Sequence, residues 1–452
     1  MSRLPLGWAE ATIRDVTARV PTIDPKAAPD TKFTYVDISS VDNQTNRVIS
    51  PKSLSGRDAP SRARQLLRSG DTVFSTVRTY LRNIGFIDNS LAGSIGSTGL
   101  CVLRPAPGVH PRFLYYYSLT NSFVDSLSAQ MRGTSYPAVV DGQVRSMPIP
   151  IPPTAEQERI VAALEEQLTR LDAGATALDR VRGHVKIMRG AILNAAMSGR
   201  LVGRLTNWAE RPLGPLLADI HAGKSFKCDE RPARADEWGV VKVSAMTWGE
   251  FRENENKTVL PERAIDARLE IRPGDVLVSR SNTLEYVGAV VRVKSCRPKL
   301  LLSDKSLRVV PTSELTPEWL VISLRSAPAR RYIEAVATGT SDSMRNISQP
   351  KLRALSIPLP PVDDQLRIAA EVDRLMSALN TLEATLTVTG MREATCRRSV
   401  LSAAFSGTLV PQDPDDEPAS QLLQSIEADR ALQEEATTHN GSWRTERGKV
   451  KT

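Results

Sequence analysis

The chain carries much of its own sequence twice. Residues 149–161 (IPIPPTAEQERIV) align without a gap on residues 357–369 (IPLPPVDDQLRIA), 208 positions further on. Ile149, Pro153, Gln157, Arg159 and Ile160 fall on Ile357, Pro361, Gln365, Arg367 and Ile368. The same offset brings residues 189–202 (RGAILNAAMSGRLV) onto residues 397–410 (RRSVLSAAFSGTLV), with Gly199 on Gly407. Upstream the offset drifts. Gly133-Thr134-Ser135 meets Gly339-Thr340-Ser341 at 206, Gly70-Asp71 meets Gly274-Asp275 at 204, and Trp8-Ala9-Glu10 meets Trp208-Ala209-Glu210 at 200. Chance similarity does not account for this many anchors in the same order. The chain must therefore fold as globular part, helix, globular part, helix.

The two repeated tails read as long helices. Thr154-Ala155-Glu156-Gln157, entered from Pro152-Pro153, has the pattern of a capping box. No proline follows until well past Ser198. Apolar residues recur at Ile160, Leu164, Leu168, Leu171, Ala175, Leu178, Val181, Val185, Met188, Ile192 and Ala195, mostly three or four apart, which is a coiled-coil seam. The second copy supplies Ile368, Val372, Leu375, Leu379, Leu382 and Leu386, with Asp363 as the candidate cap where Val362 replaces the threonine. Gly199 and Gly407 are the expected helix ends. Gly174, Gly183 and Gly190 weaken the first helix by about 1 kcal/mol each. The two helices are expected to pair antiparallel as a spacer; the alternative is one amphipathic helix packed on each globular part.

The remaining segments mix short strand signals, turns and brief helices, so the fold class is α+β. Gly70–Ser75 and Gly274–Ser279 are strand-length apolar runs opened by a Gly-Asp turn, and Phe113–Leu127 and Pro317–Val336 read as helices. The organisation expected is a first globular domain over 1–150, a spacer helix over 151–200, a second globular domain over 201–356, a second spacer helix over 357–408, and a tail with a short helix over 409–452.

Charge and motifs narrow the function. The net charge is +8, and residues 1–153 hold 17 Lys+Arg against 11 Asp+Glu while residues 208–357 hold 24 against 19. The positive charge thus sits in the globular parts, as contact with phosphates requires. Residues 218–225 (ADIHAGKS) have alanine where a P-loop needs its first glycine, and Gly93, Gly96 and Gly99 are evenly spaced, unlike a dinucleotide fingerprint. No Gly-x-Ser-x-Gly elbow and no Asn-Pro-Pro-Tyr or Asp-Pro-Pro-Tyr loop occurs. Asp236 with Glu255 and Lys257 has the residue types of a nuclease site, a match that chance supplies in a chain this charged. Cys101, Cys228, Cys296 and Cys396 are scattered, as are His110, His184, His221 and His439, so no metal is expected. No apolar run reaches the length of a membrane span and the N-terminus has no signal-peptide core, which places the protein in the cytoplasm with no membrane partner.

The duplicated order, the Ile-Pro-x-Pro-Pro helix entry, Glu156-Gln157 with Arg159-Ile160, and the Ala-Ala-x-Ser-Gly helix end resemble the specificity subunits of Type I restriction–modification systems. Leu4-Pro5-Leu6-Gly7-Trp8 and the tail Glu417–Leu423 with Ile426–Arg430 are similar to the two ends of that family. The resemblance implies two target-recognition domains, each reading one half of an interrupted double-stranded DNA target, and two helices that set the gap. It implies docking of two methyltransferase (modification) subunits and of restriction/translocase subunits. S-adenosylmethionine, ATP and magnesium are then expected on those partners, with no cofactor and no catalytic residue in this chain. The family's pattern departs at Asp364, which stands for a glutamate, and at Gly223-Lys224-Ser225, read as a structural turn.

The candidate DNA contacts combine phosphate-capable and base-capable side chains after a strand or a glycine. In the first unit they are Arg78, Thr79, Tyr80 and Arg82, with Arg132, Thr134, Ser135 and Tyr136. In the second they are Arg280, Ser281, Asn282 and Tyr286, with Thr340, Ser341, Ser343, Arg345 and Asn346. Ile160, Leu164, Leu171, Leu178, Ile368, Leu375, Leu379 and Leu382 are assigned to the seam. Two other readings stay open: a coiled-coil adaptor without catalysis in another DNA-associated complex, and an enzyme whose motifs have diverged.

Overall fold

A computed structural model describes residues 4–203, 208–260, 265–339 and 344–447, with side chains in the last helix as far as 433. The chain divides into two compact units, residues 1–177 with 389–452 and residues 178–388. Each unit joins one globular part to one half of each of two long helices, α1 (Thr154–Met197) and α2 (Val362–Phe405).

The first unit is built on a four-stranded antiparallel sheet in the order Thr17–Ala18, Leu100–Pro105, Thr72–Ser75, Ile84–Phe86. Its strands alternate between two cores. Phe74, Cys101 and Leu103 face a helical layer with Phe113, Leu114, Phe123 and Leu127, while Val73, Leu100 and Val102 face Val36, Val41 and Leu67. A second sheet runs Lys52–Ser55, Lys32–Val36, Ile95–Ser97, Ala63–Leu66, with one parallel pair between Lys32–Val36 and Ile95–Ser97. Strand Ala9–Thr12 pairs with Pro148–Ile151 just before α1.

The second unit repeats the first sheet strand for strand: Leu217–Ala222, Ser306–Pro311, Val276–Ser279, Val290–Arg292. Glu210–Pro212 pairs with Ser356–Pro358 before α2, as its counterpart does before α1. The other sheet, Cys228–Asp229, Asn256–Val259, Gly239–Val241, Leu300–Leu301, keeps the parallel pair but carries its edge strand on the opposite side. Half of the drift in sequence offset, from 200 at Trp8 to 204 at Gly70, falls in the stretch that holds most of this sheet.

The expected single helices over Phe113–Leu127 and Pro317–Val336 are each two. Pro111–Ser118 and Asn121–Ala129 are separated by Thr120, whose hydroxyl accepts from the Phe123 N–H, and Pro317–Arg325 and Ala327–Val336 by Ser326, whose hydroxyl accepts from the Ala329 N–H. A capping side chain starts a new helix and so interrupts the old one.

Both long helices end on a glycine in the left-handed region, Gly199 at φ 73° and Gly407 at φ 72°, a conformation that costs a side-chain-bearing residue free energy. Their pairing is antiparallel within each unit. In the first, Arg397 bonds Asp172, and Ile160 and Leu164 share a core with Leu401 and Ala404. In the second, Arg182 donates to the Leu386 carbonyl at 3.3 Å and Arg189 reaches Asn380 and Glu383 at 2.6 and 2.8 Å.

The seam corrects the expected one in part. Ile160, Leu164, Ile368 and Leu379 are buried; Leu171, Leu178 and Leu375 are half-buried. Leu382 is 37% exposed and Met188 50% exposed. The sequence of α2 offers two adjacent apolar stripes, and the one that faces α1 runs Val372, Met376, Leu379, Glu383, Leu386. Arg189, rather than Met188, occupies the matching place on α1.

The capping box is not formed either. Thr154 already lies in the helix, and the Gln157 side chain turns to the globular part instead: its oxygen accepts from the His110 N–H at 2.8 Å and its amide donates to the Pro152 carbonyl at 3.1 Å. Gln365 repeats this, accepting from Thr316 N–H at 2.8 Å and donating to the carbonyls of Glu314 and Pro360 at 2.9 Å. Both glutamines are fully buried. The repeated Gln is thus a clamp between each globular part and its helix.

Gly174, Gly183 and Gly190 are exposed, and a Cβ added to any of them would meet nothing within 4 Å. Replacing each by alanine is expected to stabilise α1 by up to about 1 kcal/mol, seen as slower amide exchange along the helix. Loss of protection on any substitution would mean that the glycine answers to a contact this chain alone does not make.

Candidate nucleic-acid interface

The structure brings the two candidate loops of the first unit together. Strand Thr72–Ser75 runs into a short 3-10 turn, Thr79–Leu81, and residues 131–138 fold back beside it. The join consists of the Val77–Ala138 bridge, a bond from Arg78 N–H to the Pro137 carbonyl at 2.8 Å, and a bond from the Arg78 guanidinium to the Ser135 carbonyl at 3.0 Å, while an Arg132–Ala138 bridge closes the second loop on itself. The same guanidinium lies 5.0 Å from the Tyr136 ring centroid, a cation–π contact.

The turn is bracketed by Arg78 at φ 49° and Arg82 at φ 56°, both left-handed. Arginine pays about 1–2 kcal/mol in that region, so other bonds must hold it there. Arg82 donates to the Leu119 carbonyl at 3.0 Å and to Asn121 Oδ1 at 2.6 Å, and its own carbonyl accepts from Asn46 at 3.0 Å. Thr79 is buried, its hydroxyl 2.8 Å from that of Ser128. Arg82 and Thr79 therefore build the loop. Tyr80, Arg132, Thr134, Ser135 and Tyr136 stand exposed on its surface.

In the second unit Ser281–Asn282 pairs antiparallel with Arg345–Asn346, joining the equivalent loops in the equivalent way. Ser281 is buried and its hydroxyl donates to Asn346 Oδ1, so both serve the join. Asn282 Nδ2 lies 3.4 Å from Ser279 Oγ, and Arg345 donates to the Gly339 carbonyl at 3.1 Å. Arg280 and Tyr286 are exposed, and the negative charge of Glu285 beside Tyr286 pushes the phenol pKa up. Thr340, Ser341 and Ser343 lie outside the described residues. Leu81 and Leu284 on these loops and Met344 beside Arg345 are also exposed, and the sequence reading does not single them out, because a lone apolar residue near a strand reads as core.

The motifs that suggested other chemistry are accounted for locally. Lys257 pairs with Glu230 at 2.6 Å and Glu255 accepts from Ser244 at 2.7 Å, so two of the nuclease-like trio are engaged with other side chains. A Cβ on Gly223 would sit 2.2 Å from the Ser303 carbonyl oxygen, so the glycine of the P-loop-like stretch lies against the backbone of a neighbouring segment. Among the described residues no cluster of three or more His, Cys, Asp or Glu could hold a metal.

Two α+β units of one design, each clamped by a buried glutamine to halves of the same two antiparallel helices, define a duplicated modular protein. The chain is similar to the specificity subunits of Type I restriction–modification systems. Residues 5–178 match the family described as Type I restriction modification DNA specificity domain. The EcoKI specificity subunit of Escherichia coli K12 is 25% identical over 347 residues, which is 73% of this chain and 74% of that one. The StySPI specificity subunit of Salmonella potsdam is 24% identical over 465 residues, 95% and 97% of the two chains. Two solved structures are 29% identical and cover 90% of this chain. One, from work on complex assembly and conformational transition of the type I R-M system, is covered completely at a TM-score of 0.74. The other, the HsdS subunit from Thermoanaerobacter tengcongensis, is 98% covered at 0.54.

Proposed function

We propose that this chain is the DNA-reading subunit of a Type I restriction–modification complex and performs no catalysis itself. Each globular part reads one half of an interrupted target, and the paired helices set the gap and dock two modification subunits. Those partners carry S-adenosylmethionine and transfer the methyl group to adenine; restriction/translocase subunits with ATP and magnesium complete the assembly. The observation that carries the reading is the strand-for-strand repetition of one sheet, with its paired loops, in two units joined to the same helices. A duplicated reader with a fixed spacer is what a two-part target requires. Among the described residues no helix is long and apolar enough to cross a membrane, in keeping with a protein that works on DNA in the cytoplasm.

The test is a genome-wide map of methylated adenine in the native host with the gene intact and deleted. One two-part motif with a constant gap should lose methylation on deletion. Exchanging residues 208–356 for those of a relative should then alter one half of the motif only. A map that is unchanged while the partner methyltransferase is active would remove the reading and favour a coiled-coil adaptor.

A further inference from the structure

The exposed large apolar side chains are not scattered over the globular parts. Within residues 9–151 they are Ile23, Ile49, Tyr80, Leu81, Tyr136 and Val140, and three of these six (Tyr80, Leu81 and Tyr136) lie on the two joined loops. Within the described residues of 208–358 they are Trp248, Leu284, Tyr286 and Met344, of which Leu284, Tyr286 and Met344 lie on the equivalent loops. The offset of 204 that aligns Asp71 with Asp275 also places Tyr80 on Leu284. An apolar tip at the same position of both repeats is a feature of the design.

Three of the four described non-glycine residues with positive φ converge on this turn: Arg78, Arg82 and Asn46, which donates to the Arg82 carbonyl. Strain gathered at one exposed turn, and held by bonds from the surrounding helices, marks a place where an exact shape is needed. The arginines supply that shape. Arg82 is bound to Leu119 and Asn121, and Arg78 to Ser135 and the face of Tyr136, which leaves the Tyr80 tip and the Tyr136 ring to make contact.

We propose that Tyr80 and Tyr136 are the apolar base-reading contacts of the first unit, and that they take thymine methyl groups in the major groove. The inference rests on the DNA-reading function above. Charge favours DNA over a protein partner: Arg78, Arg82 and Arg132 surround the tip, against Asp125 at 3.9 Å from Arg82. The C5 methyl of thymine is the one apolar group on the major-groove edge of the four bases, and an apolar side chain set against it separates thymine from cytosine. Tyr80 is 51% exposed, so about half of its surface is covered by its own domain. A wedge that unstacks bases would have to project further. A half-target that contains the methylated adenine contains at least one A·T pair, hence a thymine for the tip to meet. Leu284 offers the same chemistry in the second unit without the hydroxyl.

The test uses the full chain assembled with its modification subunits and duplexes carrying the mapped motif, each thymine replaced in turn by deoxyuridine. At one or more positions of the half read by the first unit, affinity should fall about fourfold, the worth of one buried methyl group. Tyr80→Ala or Tyr136→Ala should bind more weakly and lose the sensitivity at its position, whereas Tyr80→Phe should keep it. If every deoxyuridine duplex binds the wild type as the thymine duplex does, while the motif is still preferred over a scrambled duplex, the inference fails and the DNA-reading function stands. If the motif itself is not preferred, both fail. Increased fluorescence of 2-aminopurine beside the sensitive step would indicate a wedge, and loss of subunit assembly on Tyr80→Ala with DNA binding intact would indicate a protein contact; either overturns the proposal.

Discussion

Replacing Asp71 by alanine should cost the first unit about 3–5 kcal/mol, because it strands a guanidinium where water cannot reach it. Arg104 donates through Nε and Nη2 to the two Asp71 oxygens at 2.8 and 2.7 Å, with side chains only 9% and 1% exposed. The rest of the network is closed: Arg104 also donates to the Leu66 carbonyl, and Asp71 accepts from the Arg68 N–H. The second unit holds the same pair at the same offset. Arg308 Nε meets Asp275 at 2.8 Å and Asp275 accepts from the Arg272 N–H, but the side chains are 13% and 18% exposed. Nearer water, the charge left by Asp275→Ala is better solvated, and the loss should be nearer 1–3 kcal/mol. Amide exchange over 72–75 and 276–279 measures each unit separately. Equal losses would refute burial as the cause. Asp71→Leu combined with Arg104→Met should recover most of the deficit, since an apolar pair of similar volume leaves no buried charge.

The same pair shows what was legible in the sequence. Gly70-Asp71 and Gly274-Asp275 stand out as repeated turns, and the offset of 204 that joins them also places Arg104 on Arg308. The ion pair could thus have been read from two repeated positions of opposite charge. The helices were legible in length, ends and direction, because proline-free periodicity and terminal glycines act locally. The seam was less so. Leu375 and Leu382 continue one heptad stripe while Val372, Leu379 and Leu386 continue another, and only the partner helix decides which is inside. That the two candidate loops of each unit lie together was not legible, nor were the contacts within them. Nothing in the sequence tells Arg82, which has a carbonyl and an amide within reach, from Arg132, which is exposed. Carbonyl positions are a property of the tertiary fold, so an arginine that braces a loop and one that faces solvent read alike.

Gln365→Leu should destabilise the second unit by about 3 kcal/mol, and Gln157→Leu the first by about 2 kcal/mol, since each buried peptide group that loses its partner costs about 1–3 kcal/mol with partial relaxation. Leucine restores the volume but can neither accept from Thr316 N–H nor donate to the carbonyls of Glu314 and Pro360. Gln157 makes two such bonds where Gln365 makes three, which sets the order of the two losses. Glutamate at 365 keeps the acceptor and removes the donors, so it separates the halves of the clamp; bringing a carboxylate into this dry position should make it the worse of the two variants. The consequence for function follows from where the bonds lie. They fix the start of helix Pro317–Arg325 to the entry of α2, so the globular part is held to its helix by polar bonds of defined direction as well as by apolar contact. Apolar contact tolerates small rotations, and a buried amide with three partners does not. A subunit that reads two half-targets across a constant gap needs that rigidity at each junction. Gln365→Leu should therefore relax discrimination in the half-target of the second unit and leave the other half unchanged, which methylation mapping resolves base by base. Equal loss of discrimination in both halves would show that the clamp serves stability alone.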